Sequence, residues 1–273
     1  MKNFKKYTAT LLVGLTLGLP SVSAGDSVKM AVEKNGHRVE GQSARDSQRH
    51  PEQVLKFFGI DEKSTVIEVN PGGMWYSRIL GPLLKQEGLY IGLEHHPASY
   101  SAYARYMSNL KKYRSKMKDM NDVFGDKAIA GHLFQLDSPV KPGSVDTAMV
   151  VRAMHNWERR NFMAAGLNEL HGFLKEGGTL GVVQHREPES SAAETKDSVQ
   201  RGRWKQSELI KVIEAHGFKL VEASEINANP KDKEAVSVWT LPPRLAGDEE
   251  GKAARKAIGE SDRMTLKFVK VAK

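Results

Sequence analysis

A chain of 273 residues with 40% apolar and 27% charged residues has material for a sizeable core, and its composition is not that of a disordered, collagen-like or coiled-coil protein. Because it contains no cysteine, disulfide scaffolds, thiol nucleophiles, iron–sulfur clusters and cysteine-type zinc sites are excluded, and any metal would need His, Asp or Glu. The net charge of +8 is dispersed and lacks the basic stripe with interleaved aromatics that a nucleic-acid-binding surface requires.

At the N-terminus, Lys2, Lys5 and Lys6 precede an apolar run from Thr8 to Leu19, then Pro20 and the small residues Val22, Ser23 and Ala24. This is the pattern of a secretory signal with cleavage after Ala24, and the run is too short to span a bilayer comfortably. It predicts an exported, periplasmic protein with no stable membrane span once residues 1–24 are removed. Removal would lower the net charge to +5. Residues 25–44 are polar and read as a linker, leaving one domain over 45–273.

Within that domain Pro51 opens a short helix to Phe58, with Gly59 as its stop. Thr65–Val69 reads as a strand running into the turn Asn70-Pro71-Gly72-Gly73, with a helix from Trp75 to about Lys85. A strand at Leu89–Leu93 follows, then an amphipathic helix whose basic face runs from Arg105 to Lys118. That face is either simply solvated or a docking face for an anion. Further strands are predicted at His132–Leu136, Val145–Val151, Thr179–Gln184 and Phe218–Ile226, with helices at about Glu158–Leu174 and Ser207–His216. After a polar excursion over 227–261, Met264–Val271 alternates as a closing strand. The alternation predicts an α/β fold: a Rossmann-like, doubly wound, mostly parallel seven-stranded sheet with an antiparallel closing strand.

The turn after the first strand lets backbone approach a ligand closely at a helix N-terminus, although a purely structural tight turn reads equally well. Glu94, ending the next strand, is placed to accept hydrogen bonds from ribose hydroxyls. Asp137, just past the third predicted strand, stands where such folds meet an adenine ring, or caps a loop. His155 and Asn156 follow the fourth strand, at the sheet edge where ligands of open α/β sheets lie. His155 could take a proton from a hydroxyl or amine, or could cap the next helix. Arg152 could orient an acidic group on a substrate or sit in an ion pair. The adjacent His95 and His96 diverge, no His-Glu-x-x-His pattern occurs, and no metal site is expected. Gly-x-Ser-x-Gly and Tyr-x-x-x-Lys are absent as well, which argues against elbow-type hydrolases and short-chain dehydrogenases.

Three segments together resemble the class I S-adenosylmethionine-dependent methyltransferases, and within them a group of predicted exported methyltransferases. They are Glu68-Val69-Asn70-Pro71-Gly72-Gly73-Met74-Trp75-Tyr76, Arg152 to Trp157 with its His-Asn-Trp, and Gly259-Glu260-Ser261-Asp262-Arg263-Met264. The resemblance implies methyl transfer from S-adenosylmethionine to an acceptor, with a small molecule the expected class. It further implies a cofactor held by Glu68, Asn70, Gly72, Gly73, Glu94 and Asp137, with His155 and Asn156 at the acceptor. The wider family has Asp/Glu-x-Gly-x-Gly-x-Gly where this chain has Asn70, Gly72 and Met74 at the glycine positions, and Met74 places bulk where the methionine portion of the cofactor would lie. The alternative is an exported ligand-binding protein that keeps the fold without transfer activity.

Overall fold

The computed structural model describes residues 24–33, 36–94, 103–134 and 138–272. Its strands are β1 (Thr65–Val69), β2 (Leu89–Glu94), β3 (Ile129–His132), β4 (Val145–Val151), β5 (Leu174–Glu187), β6 (Trp204–Lys205), β7 (Phe218–Ser224) and β8 (Arg263–Lys270). They form one sheet in the order β3-β2-β1-β4-β5-β8-β7, and the two-residue β6 adds to the end of β5. Pairs among β1 to β5 are parallel, whereas β8 runs antiparallel to both β5 and β7. The sheet is therefore the expected Rossmann-like one with its antiparallel closing strand, and β6 is the addition.

The helices are α1 (Ala24–Glu33), α2 (Asp46–Arg49), α3 (Pro51–Phe57), α4 (Ser77–Leu84), α5 (Tyr103–Asp119), α6 (Asn121–Phe124), α7 (Met154–Arg159), α8 (Met163–Phe173), α9 (Thr195–Gln200), α10 (Gln206–Glu214) and α11 (Lys252–Ile258). Side chains alternate across each strand, so the sheet feeds two cores. Ile67, Val69, Ile91, Leu93, Val150 and Val182 pack with residues of α7 to α10. Val66, Tyr90, Met149 and Val183 pack on the opposite face with residues of α1 and α3 to α6. Burying each such aliphatic side chain stabilises the fold by about 1.5–3 kcal/mol.

Four expectations are corrected. The stretch 25–44, read as a polar linker, carries α1, because Val28, Ala31 and Val32 share one helical face and bury it against α3 and α4. The third strand lies at Ile129–His132 rather than His132–Leu136; Phe134, at φ +58°, breaks the extended chain. The helix expected over 158–174 is two helices, separated where Asn161 takes φ +54°, and the first begins at Met154. The excursion over 227–261 contains α11.

Parallel β1, β4 and β5 end together, with Val69 opposite Val150 and Val151 opposite Val183. Because β8 is antiparallel, its first residue, Arg263, lies opposite His185 at this same edge. The carboxyl ends of the parallel strands and the segment leading into β8 thus converge.

Candidate functional site

The bend after β1 has a regular backbone signature. Asn70, Gly72 and Met74 have φ of +54°, +53° and +58°, so alternate residues are left-handed. Glycine meets that demand freely and asparagine at modest cost, while a methionine there is strained. The Asn70 amide donates to the Leu93 carbonyl at 2.7 Å and the Met74 amide to the Pro71 carbonyl at 2.8 Å, which ties the bend to β2 and closes it. Met74 is wholly buried in the core shared with α3 and α4 and borders neither cavity at this edge. Its bulk therefore points away from the cleft, correcting the expectation that it would crowd a bound cofactor.

Glu68 lies beneath the bend. It accepts hydrogen bonds from the Ser77 hydroxyl at 2.6 Å and the Tyr90 hydroxyl at 2.7 Å. Burial pushes its carboxyl up to about 7, against the pull of these two bonds. The tyrosine network extends to Tyr113 on α5, whose hydroxyl is 3.4 Å from that of Tyr90. Gly92 makes room for this ring, since a Cβ there would stand 1.7 Å from the Tyr113 oxygen.

Two connected features open above the bend. A cavity of about 440 Å³ is bordered by Asn70, Gly72, Gly73, Arg152, His155 and Asn156 among others, and a smaller one of about 60 Å³ reaches back to Glu68 and Tyr76. Of the residues predicted from sequence, the structure thus brings together Glu68, Asn70, Gly72, Gly73, His155 and Asn156. Glu94 is buried at the end of β2, one residue past the Leu93 that holds Asn70, and borders neither cavity. Asp137, like His95 and His96, lies outside the described residues.

His155 occupies the first turn of α7 rather than a loop. The side-chain amide nitrogen of Gln184 lies 3.3 Å from its Nδ1 and also donates to the Gly202 carbonyl at 2.9 Å. The Gln184 side-chain oxygen lies 3.5 Å from the same nitrogen, so Nδ1 accepts from the amide when the ring is neutral and can donate to Oε1 when it is protonated. Burial lowers the His155 pKa to about 4; the Gln184 contact opposes this, and Arg159, Arg152 and Arg160 add to it. His185, whose ring centre is 5.7 Å away, pairs Nδ1 with the Ser261 hydroxyl at 2.5 Å, and burial holds its pKa well below the usual histidine value. Both rings are neutral at neutral pH. They can orient a polar ligand and receive a proton in passing, but neither is a resident imidazolium.

Apart from Arg152, which the sequence marked as able to orient an acidic group or sit in an ion pair, the rest of the wall comes from residues that the sequence reading did not assign to the site. The Glu260 carboxylate accepts from Arg49 Nε at 2.8 and 3.0 Å and from Arg263 Nη1 at 2.5 Å, all three side chains being buried. Arg152, at φ +56°, brings Nη1 to 3.9 Å from the same carboxylate. Trp75 lies between the guanidinium groups of Arg38 and Arg49, 5.0 and 4.9 Å from its ring centres, and its indole nitrogen donates to the Gln42 carbonyl at 3.0 Å. The signal was available. An antiparallel closing strand must begin where its parallel neighbour ends, so Gly259–Met264 had to reach the ligand edge.

Among the described residues no three or more His, Asp or Glu side chains are grouped to hold a metal, and no helix is long and apolar enough to cross a membrane. No protein-family model matches the sequence, and no curated protein matches it either. Solved structures do match in fold. A S-adenosylmethionine-dependent methyltransferase from Aquifex aeolicus superposes with a TM-score of 0.53 at 14% identity, over 89% of this chain and 98% of that one. The chain has the class I methyltransferase fold. A candidate methyltransferase from Bacillus halodurans superposes with a TM-score of 0.51 at 16% identity, over 81% of this chain and 98% of that one. The [4+2]-cyclase SpnF matches equally, with a TM-score of 0.51 at 15% identity over 88% and 86% of the two chains. Likeness at this level establishes the methyltransferase fold and leaves the chemistry to the site.

The described residues fit an adenosylmethionine-type ligand on two counts. Both polar atoms of the Asn70 amide are buried and have no hydrogen-bond partner among the described residues. Gly73 borders the larger cavity, and a Cβ built on it meets nothing within 4 Å, so nothing crowds the bend there.

Proposed function

We propose that the protein is a S-adenosylmethionine-dependent methyltransferase that acts outside the cytoplasm on a small-molecule acceptor. One observation carries the reading. The bend keeps left-handed backbone at all three glycine positions of the family pattern although two of them are Asn70 and Met74, and it offers an unpaired amide at the first. Asn70, Gly72 and Gly73 would hold the amino-acid end of the cofactor. Glu94, at the end of β2 and outside the two cavities, would meet the nucleoside, and Asp137 is the other residue the sequence assigns to it. When bound, the cofactor supplies an activated methyl on a sulfonium, and the chain's own contribution is alignment and exclusion of water. His155 and Asn156 would orient the acceptor, and neutral His155 would receive a proton where the acceptor must lose one.

Calorimetry on the purified protein with S-adenosylmethionine, S-adenosylhomocysteine and NAD tests this. The reading requires that the two sulfur nucleosides bind, that NAD does not, and that Glu94→Ala weakens both. Absence of nucleoside binding would favour the ligand-binding alternative. For export, N-terminal sequencing of the protein recovered from the periplasmic fraction is expected to begin at Gly25.

A further inference from the structure

Among the described residues, four arginines, Arg45, Arg49, Arg152 and Arg244, border the larger cavity against a single carboxylate, Glu260. That carboxylate is already bonded to Arg49 and, from the second cavity, to Arg263. It cannot also neutralise the others. The Arg152 guanidinium is the clearest remainder: only about a third of its side chain is exposed, and among the described residues its one ion-pair contact is the 3.9 Å approach to Glu260 and no side-chain hydrogen bond satisfies its five donors. Burial, and then the charge of Arg49, lowers its pKa to about 9, with Glu260 opposing them. A guanidinium held in a cavity without its acceptor is left incomplete, since its planar fork matches a carboxylate or phosphate with two parallel bonds. Around it stand neutral His155 and His185, which can donate or accept a hydrogen bond but bring no negative charge.

We infer that the ligand of this cavity is an oxyanion, a carboxylate- or phosphate-bearing small molecule that docks on Arg152. Resting on the methyltransferase reading, that molecule is the methyl acceptor. Its anionic group is then the handle that fixes the nucleophile in front of the bend. The volume of about 440 Å³ lies within the range of small-molecule sites. The charge excess also draws an anion in from solution, an effect that salt weakens.

The test uses the purified full chain in phosphate-free buffer, following the unfolding midpoint and calorimetric heat with inorganic phosphate and, separately, with succinate. The inference requires that at least one anion binds, raises the midpoint, and binds about 10- to 100-fold more weakly to Arg152→Gln. Lys116→Gln, on the exposed face of α5, should bind as the parent does. Binding of phosphate alone points to a phosphorylated acceptor, and binding of succinate alone to a carboxylic acid. Repeating the titration with S-adenosylmethionine present separates the two readings. If both ligands bind together, the oxyanion is the acceptor's. If the anion displaces the cofactor, the site belongs to the cofactor's own carboxylate and the assignment to the acceptor is overturned. An anion that binds through Arg152 to a protein that takes no sulfur nucleoside leaves the oxyanion site standing and removes methyl transfer. No anion binding, or equal binding by Arg152→Gln, overturns the inference.

Discussion

Arg49 and Glu260 stand 211 residues apart in the chain and 2.8 Å apart in space, both buried at the cavity wall. The same carboxylate serves Arg263 and faces Arg152. Glu260→Gln keeps the shape and removes the charge that holds three guanidinium groups together. Breaking a buried pair from one side leaves charge uncompensated, so we expect a loss of about 3 kcal/mol or more in urea unfolding. Adding Arg49→Gln to that variant should recover part of the loss.

Glu68 gives a pH signature of opposite sense to ordinary carboxylates. Its folded pKa of about 7 exceeds the unfolded value of about 4.3, so the folded state holds a proton that the unfolded chain has released. Its contribution is therefore full below pH 4.3 and is lost as pH rises to 7, by about 3 kcal/mol. Glu68→Gln lacks this titration. Measured by denaturant titration across that window, the variant should gain on the parent as pH rises.

At His155 the lowered value of about 4 lies below an unfolded histidine's 6.5, so the unfolded chain is the one that binds the proton first. Stability from the neutral ring is present above pH 6.5 and declines by about 3 kcal/mol as pH falls to 4. In His155→Gln the acid-side slope of stability against pH should be shallower, with the remaining slope coming partly from His185. A methyl-transfer assay should correspondingly show no inflection between pH 5 and 8 that disappears in this variant.

The bend separates folding from binding. Met74→Gly would relieve left-handed strain of about 1 kcal/mol but empty a site of full burial, which costs about 2–5 kcal/mol, so a net loss is expected in the denaturant midpoint. Gly73→Ala has open space for its methyl group and should leave the midpoint unchanged. On the proposed function it should weaken S-adenosylmethionine binding about tenfold or more, because Gly73 borders the cavity and backbone there must approach the ligand closely.

The sheet was legible from short apolar runs separated by helical periods, and the bend from Pro71-Gly72-Gly73 at the end of β1. Asn70, Gly72, Gly73, His155 and Asn156 were found because strand ends mark ligand edges. The same logic applied to the antiparallel closing strand places Glu260 at that edge, but its pairing with Arg49 was not legible, since nothing local in either segment reveals a contact that closes over 211 residues. The α1 face of Val28, Ala31 and Val32 was hidden among polar neighbours, and only its packing against α3 and α4 declares it. The orientation of Met74 was also invisible, because a left-handed residue turns its side chain opposite to the direction its place in the motif suggests.

The position of Trp75 has an optical consequence. Among the four tryptophans, Trp157 and Trp204 are sealed inside the protein, whereas Trp75 and Trp239 form part of the cavity lining. The indole of Trp75 also faces two guanidinium groups at about 5 Å. Anything that enters between Arg49 and Arg152 changes the field at that chromophore, so intrinsic emission, compared with a Trp239→Phe variant, can report occupancy without a label or a known substrate.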